Sequence, residues 1–335
     1  PQRRDVVIDG GRIVADSGSG SRRDERVLDL TGLRLASGFI DLQVNGGGGD
    51  DFTRDPSSVW GVSSRLLRQG VTSFLPTIVT SPPNVVDDAR AALASPPPAH
   101  VGARPLGLHV EGPMLNPERV GAHPARLLRP PSLELVEGWS RESGVAMVTL
   151  APELPHALAV IRALCDRGIV VAIGHSEATY DEVAAAVEAG ATQVTHLYNA
   201  MSPLHHRELG VVGATLERDD LTAGLVVDGV HAHPAAVRLA WRAKGPDRLA
   251  LVTDAVAAQG MAPGRAQLGA TTLVVDETGV RTLDGVLAGS DLTMDAAVRN
   301  LVDFTGCSWV DAVGAASTVP ASVVGADTSG VIAPG

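Results

Sequence analysis

Lysine is nearly missing from this chain. Lys244 is the single lysine among 27 basic residues; the rest are arginine. Acidic residues number 38, so the formal net charge is −11. That balance argues against nucleic acid or an anionic membrane as the main partner. It leaves room for a small anionic substrate in a local basic pocket. Cysteine is scarce as well. Cys165 and Cys307 lie far apart in helix-like segments, which argues against a disulfide framework and suits a reducing, cytoplasmic setting. No apolar run reaches the roughly 18 residues of a membrane span, and no secretory leader is visible. Aromatic residues are only 3% of the chain. Its core must therefore come from Ala, Val, Leu and Ile, which suits a parallel sheet wrapped in helices.

The rhythm of the chain divides it. Residues 1–35 hold short strand patterns at 6–8, 12–15 and 26–30, separated by Gly, Ser and Asp turns, and read as part of a small β-sandwich-like domain. From residue 36 strands and helices alternate. Strand patterns fall at 38–44, 71–78, 105–110, 145–151, 169–174, 193–197, 221–227 and 248–253. Amphipathic helices are expected at 56–69, 83–94, 154–167, 234–244, 292–304 and 308–324, with a Thr179/Glu182 capping box opening another after the fifth strand. Eight such units predict an α/β fold, a (β/α)8 TIM-like barrel over 36–325 with a β-hairpin excursion at 260–285. A doubly wound open sheet is the competing architecture.

In a barrel of this kind, catalytic groups sit at the C-terminal ends of the strands. Six of the eight ends carry polar groups: Gln43 and Asn45, His109 and Glu111, His175, His196, Asp228 and His231, and Asp254. Each alone has a plain structural reading as a hydrogen-bonded or capping residue; their recurrence at one end of the barrel is the signal. Glu111, His175 and His196 make one carboxylate and two imidazoles, a catalytic zinc set with a position left for water. Asp254 could take the water's proton and pass it to a leaving nitrogen. His109, two residues before Glu111, reads as a core or supporting group. Arg207 could pair with a phosphate, and a histidine in the Gly121-Ala122-His123 loop could donate to a developing oxyanion. The Gly46–Gly49 run lacks the order of a phosphate loop and reads as close backbone approach.

Seven stretches, GFIDLQVNGGGGDDF, GLHVEGPMLNPERVGAH, GHSEATYDE, THLYNAM, VVDGVH, LVTDA and LAGSDLTM, resemble in order the N-acetylglucosamine-6-phosphate deacetylases of the amidohydrolase superfamily. The resemblance implies hydrolysis of N-acetyl-D-glucosamine 6-phosphate to glucosamine 6-phosphate and acetate. It implies metal ligands at Glu111, His175 and His196, an acid/base at Asp254, and a carbonyl-polarising His123 beside Ala122. It also implies sugar-phosphate contacts at Asn199, Ala200, Arg207 and His231, and hydroxyl contacts at Asp228, Leu287, Ala288 and Gly289. Arg207 and His231 would reach in across a homodimer interface. Where many amidohydrolases carry His-x-His on the first strand, this chain has Gln43 and Asn45, so one divalent metal per subunit is expected, Zn2+ ahead of Fe2+ or another divalent ion. Residues 326–335 would begin a return to the small domain, whose further strands this chain is expected to lack. Other readings of the same scaffold are an N-acetylgalactosamine-6-phosphate deacetylase, a cyclic-amide or N-acyl-amino-acid hydrolase, or an inactive metal-binding relative.

Overall fold

The computed structural model describes residues 6–14, 26–97, 99–326 and 332. Eight parallel strands follow one another in chain order: β1 (Phe39–Val44), β2 (Val71–Val79), β3 (Leu108–Glu111), β4 (Val145–Leu150), β5 (Val170–Ile173), β6 (Gln193–Val194), β7 (Thr222–Leu225) and β8 (Leu249–Leu251). The sheet returns on itself. A parallel bridge pairs Val44 with Ala255, Asn45 N–H donates to Ala255 O at 2.7 Å, and Asp254 N–H donates to Gln43 O at 2.9 Å. Closure selects the barrel over the open sheet. The strands are almost wholly buried, as expected of apolar β-branched runs sandwiched between a packed interior and a ring of helices.

Several helix limits follow from local chemistry. Asp55 caps the turn at Pro56–Ser58, Thr179 and Glu182 close their capping box, and His233 caps the helix Pro234–Lys244 with proline at its first position. The expected helix at 308–324 is two helices, Trp309–Ala316 and Thr318–Val323. Pro320 lacks an N–H and crowds the carbonyl four residues earlier, so the chain restarts at Ser317. The helix Gly210–Glu217 was not expected, because six of its first residues are buried and it shows no polar stripe. Lys244 has a structural role. Its buried ammonium donates to Thr215 O at 2.9 Å and to Arg218 O, the free carbonyls at that helix's C-terminus.

The third predicted strand is broken. Arg104–Pro105 pairs with β2, Gly107 turns at φ +118°, and β3 starts at Leu108. A Cβ at Gly107 would stand 2.8 Å from the Ala146 Cβ, so only glycine allows this approach. The excursion after β8 holds three antiparallel strands, Gly264–Leu268, Thr271–Asp276 and Gly279–Thr282, one more than the hairpin pattern suggested. Leu268, Leu273, Val275 and Val280 form a small separate core with Val79, Val256 and Ala288, which presses residues 287–289 toward the barrel mouth. Near the N-terminus, Val7–Asp9 and Arg12–Val14 form a hairpin. Residues 26–30 are not a strand: Val27 and Leu28 are 82% and 74% exposed, and no described strand lies alongside to pair with them. The expected return at 326–335 falls, apart from 326 and 332, outside the described residues. No described helix is long and apolar enough to cross a membrane.

Asp41 fastens the closure. Fully buried on β1, it accepts from Thr253 Oγ1 at 2.6 Å and from the Thr253 and Gln43 amides at 3.2 Å. Burial, opposed by these bonds, pushes its carboxyl up to about 7. Asp41→Ala leaves buried donors at the seam unpaired. It is expected to destabilise the fold by about 3 kcal/mol, read from the midpoint of denaturant unfolding; an unchanged midpoint would show that the seam does not depend on it.

Candidate active site

The C-terminal ends of the strands are turned inward by strained backbone. His175, His196, Tyr198, Ala200 and Asp254 all have positive φ, between 29° and 83°. Left-handed geometry is costly for residues with a Cβ, and here it stops each strand and swings the side chain over the barrel axis. Two of these groups meet Glu111. Its Oε1 lies 3.4 Å from His175 Nε2 and 3.2 Å from His196 Nε2, and the two nitrogens are 3.1 Å apart. All three residues are buried.

The hydrogen bonds around this cluster assign its protons. His175 Nδ1 faces the Arg119 carbonyl at 2.8 Å, an oxygen that can only accept, so Nδ1 carries the hydrogen and Nε2 presents a lone pair. Burial pushes Glu111 up, but the imidazoles crowded against its carboxylate outweigh it and hold the carboxyl well below its usual range. For His196 burial favours the neutral ring, yet the Glu111 contacts raise its pKa. Both shifts express one demand: positive charge is wanted between these three atoms. A proton meets it poorly, since His175 already uses its hydrogen elsewhere. A divalent cation meets it fully, and the carboxylate and two imidazoles are a donor set for one.

Three buried groups surround the cluster. Asp254, whose Oδ1 accepts from Asn45 Nδ2 at 2.7 Å, is pushed up to about 6 by burial and then by the Glu111 charge. His123 Nδ1 accepts from the Thr80 amide at 3.3 Å, so its hydrogen is on Nε2, which points into the site 3.7 Å from Glu111 Oε2. Burial, and then the nearby His175, push its pKa down to about 3, so the ring is neutral. His109 is neutral for the same first reason, at about 4, and both its nitrogens are engaged, by Thr149 Oγ1 at 2.7 Å and Thr77 Oγ1 at 3.3 Å. It is a core group beneath the site.

The cavity above the cluster measures about 420 Å³. Ala122, His123, Asn199, Ala200, His231, Leu287, Ala288 and Gly289 line it together with Asn45, Glu111, His175, His196 and Asp254. Four expected residues do not. Gln43 sits behind Glu111 and donates to its Oε1 at 3.1 Å. His109 lies below. Asp228 is not a wall of the cavity: its carboxylate is occupied by His231 Nδ1 at 2.6 Å and by the amides of Val230 and His231. Arg207 is exposed on a loop, with Nη1 2.9 Å from His206 Nε2. His231, expected to reach a neighbouring subunit's site, lines the cavity of its own chain, where Asp228 anchors the ring. Thr80, just past β2, sets the His123 tautomer through its amide, a role that its residue type does not signal in sequence. Glu118, Arg119 and Val120 also line the cavity; their place inside GLHVEGPMLNPERVGAH was the available signal.

A closed parallel barrel with a carboxylate and two imidazoles at its mouth defines a class of metal-dependent hydrolases, and comparison with known proteins agrees. Residues 35–335 match the model of the amidohydrolase family. The chain is 43% identical over 321 residues to an N-acetylglucosamine-6-phosphate deacetylase of Danio rerio, covering 90% of this chain and 78% of that protein. It is 40% identical over 300 residues to an N-acetylgalactosamine-6-phosphate deacetylase of Escherichia coli O157:H7, covering 88% and 78%. The crystal structure of an N-acetylglucosamine-6-phosphate deacetylase from Pasteurella multocida superposes with a TM-score of 0.91 at 35% identity, covering 98% of this chain and 88% of that one. The chain belongs to the amidohydrolase family, in the branch of the N-acetylglucosamine-6-phosphate deacetylases. Membership implies a divalent metal, and Glu111, His175 and His196 are the described group able to hold it.

Removing that metal is expected to lower the thermal midpoint. Adding divalent ion back at a concentration of 100 times Kd should restore about 2.7 kcal/mol. His175→Ala should respond to neither treatment. A chelated protein that melts like the loaded one would refute a metal at this cluster.

Proposed function

We propose that the protein hydrolyses the N-acetyl amide of N-acetyl-D-glucosamine 6-phosphate, releasing D-glucosamine 6-phosphate and acetate, as a step of amino-sugar breakdown in the cytoplasm. The observation that carries this reading is the convergence of Glu111, His175 and His196 beside buried Asp254, in a chain whose relatives are amino-sugar phosphate deacetylases. Residues 36–325 are assigned to the catalytic barrel and residues 1–35 to a partial β domain. A divalent metal held by the three ligands supplies Lewis acidity that eases ionisation of water and polarises a carbonyl. One ion per subunit is favoured, zinc first, because the amides of Gln43 and Asn45 are poor ligands beside imidazole.

Asp254 accepts a proton from the attacking water and later delivers it to the nitrogen as the C–N bond breaks. The Asn45 amide holds Asp254 Oδ1 and leaves Oδ2 for that proton. Neutral His123 donates its Nε2–H to the carbonyl oxygen as negative charge develops there. Ala122, Asn199, Ala200, His231 and the segment Leu287–Gly289 hold the sugar phosphate, with Asp228 acting by orienting His231. Arg207 is too exposed to serve its own cavity, and we assign it to the phosphate of a neighbouring subunit in a homodimer. The galactosamine epimer is a second reading, supported by the similarity to the Escherichia coli enzyme.

The experiment is acetate release from N-acetyl hexosamines with and without a 6-phosphate, on enzyme of measured metal content. N-acetylglucosamine 6-phosphate should give the highest kcat/KM, and its unphosphorylated form roughly 10²-fold less or lower. Equal rates with and without phosphate would remove the phosphate from the reading, and two tightly bound ions per active chain would remove the single-ion assignment.

The pH profile tests Asp254 separately. Only its ionised form can accept a proton, so kcat/KM must fall as pH drops through its folded pKa. Burial and Glu111 set that value at about 6, and a bound cation pulls it lower. The acid limb is therefore expected at or below pH 6. Asp254→Asn should lose about 10²–10⁴-fold in rate and the limb with it; a variant with wild-type turnover would refute the role.

A further inference from the structure

Glu153 follows β4, a strand whose mouth contributes nothing to the cavity. It lies half-buried, and its carboxylate is fully engaged. Oε1 accepts from Asn116 Nδ2 at 2.9 Å and from the Glu177 amide at 2.6 Å; Oε2 accepts from Ser176 Oγ at 2.7 Å. These donors come from two different loops. Asn116 opens the loop after β3. Ser176 and Glu177 are the two residues directly after His175.

The two loops are also tied around His175 itself. The Asn116 amide donates to His175 O at 2.9 Å, and the Arg119 carbonyl holds His175 Nδ1 at 2.8 Å. The Arg119 guanidinium pairs with Glu177. His175 therefore sits in a closed knot in which Glu153 is the one member that touches both loops from a third strand. The knot has work to do, because His175 is held at φ +51°, a conformation that a residue with a Cβ leaves unless its neighbours prevent it. The ring's aromatic neighbours are His123 and His196, both in edge-to-face arrangements.

We propose that Glu153 is a positioning residue for the metal site. It clamps the turn after His175 against the loop whose Arg119 carbonyl sets the ring's tautomer, and so aims His175 Nε2 at the ion. It touches neither substrate nor metal. The inference rests on the reading that Glu111, His175 and His196 hold a divalent ion.

The test is a metal titration. Wild type, Glu153→Gln and Glu153→Ala are stripped with chelator and titrated with Zn2+ against a chromophoric competitor, then with Co2+, whose visible absorption reports ligand geometry. Glu153→Ala is expected to weaken Zn2+ binding about 10–100-fold, the usual cost of losing a group that orients a ligand, and to shift the Co2+ bands. Glu153→Gln keeps an oxygen at the Oε1 position, which takes two of the three bonds, and should recover most of the affinity. A merely structural role would lower the melting point of the stripped protein and leave the Zn2+ affinity and the Co2+ spectrum as in wild type; that result overturns the proposal. Should Glu153→Ala not fold, Glu153→Asp, which withdraws the oxygens by one methylene, is read the same way. A wild type that binds neither ion would instead sink the metal reading, and with a binding wild type only the role of Glu153 is at stake.

Discussion

Three polar atoms, Glu111 Oε1, His175 Nε2 and His196 Nε2, stand within 3.4 Å of one another at the floor of the cavity, and the barrel beneath them imposes that arrangement. Left to itself the cluster would open, since each of these polar atoms prefers water. It stays closed because the strands beneath it cannot move. β3, β5 and β6 are neighbours or near neighbours in a sheet buried on both faces, and their register is fixed by ladders running from Val145–Leu150 outward. The left-handed turns at His175 and His196 then direct the side chains across the axis. Strain at these turns and the burial of these polar atoms are borne by the apolar core, and a cation gives the atoms a common partner. This is how a fold can hold an ion-binding site open to one kind of partner.

The surrounding hydrogen bonds extend the same logic to protons. His175 is forced by a backbone carbonyl to present Nε2, and His123 is forced by a backbone amide to keep its hydrogen on Nε2. One histidine is thereby made an acceptor toward the cavity and the other a donor. Identical side chains acquire opposite chemistry from a single main-chain contact each. Burial reinforces the assignment by keeping His123 and His109 neutral. Asp254 moves the other way, up to about 6, because the same burial disfavours its charge and Glu111 repels it. The charge and hydrogen placement of each group are set by its environment, not by its residue type.

Much of this was legible in the sequence. The eight strands showed as apolar runs, and the polar residues at their ends marked the mouth, because a parallel barrel leaves few other places for buried histidines. What was not legible follows from contacts that pattern cannot carry. The break before Leu108 depends on how close Gly107 comes to Ala146. Helix Gly210–Glu217 has no polar face to betray it. Asp228, expected as a sugar contact, anchors His231 through a 2.6 Å hydrogen bond that no sequence pattern shows. Thr80 and Glu153 act through other residues, and a search for groups that touch substrate passes over them. Residues 26–30 carried a strand pattern, but a strand exists only beside another, and the described chain offers none.

The first strand shows how a missing ligand pair becomes a different device. Gln43 and Asn45 stand where an imidazole pair would offer lone pairs to a second ion. Their hydrogen bonds run the opposite way. Glu111 Oε1 and Asp254 Oδ1 are carboxylate oxygens that, when ionised, can only accept, so the amide nitrogens of Gln43 and Asn45 must face them, at 3.1 and 2.7 Å. Strand one is therefore wired as the donor side of the site. Both amides spend their N–H groups on carboxylates, while Asn45 Oδ1 stays buried without a partner. A donor there also does what a second cation would do in part, since it supplies positive potential to Glu111 and Asp254 without charge. Turning either amide over would bring oxygen against oxygen in a buried pocket. The single-ion reading thus depends less on what is absent from positions 43 and 45 than on the direction in which the residues present there point their hydrogens.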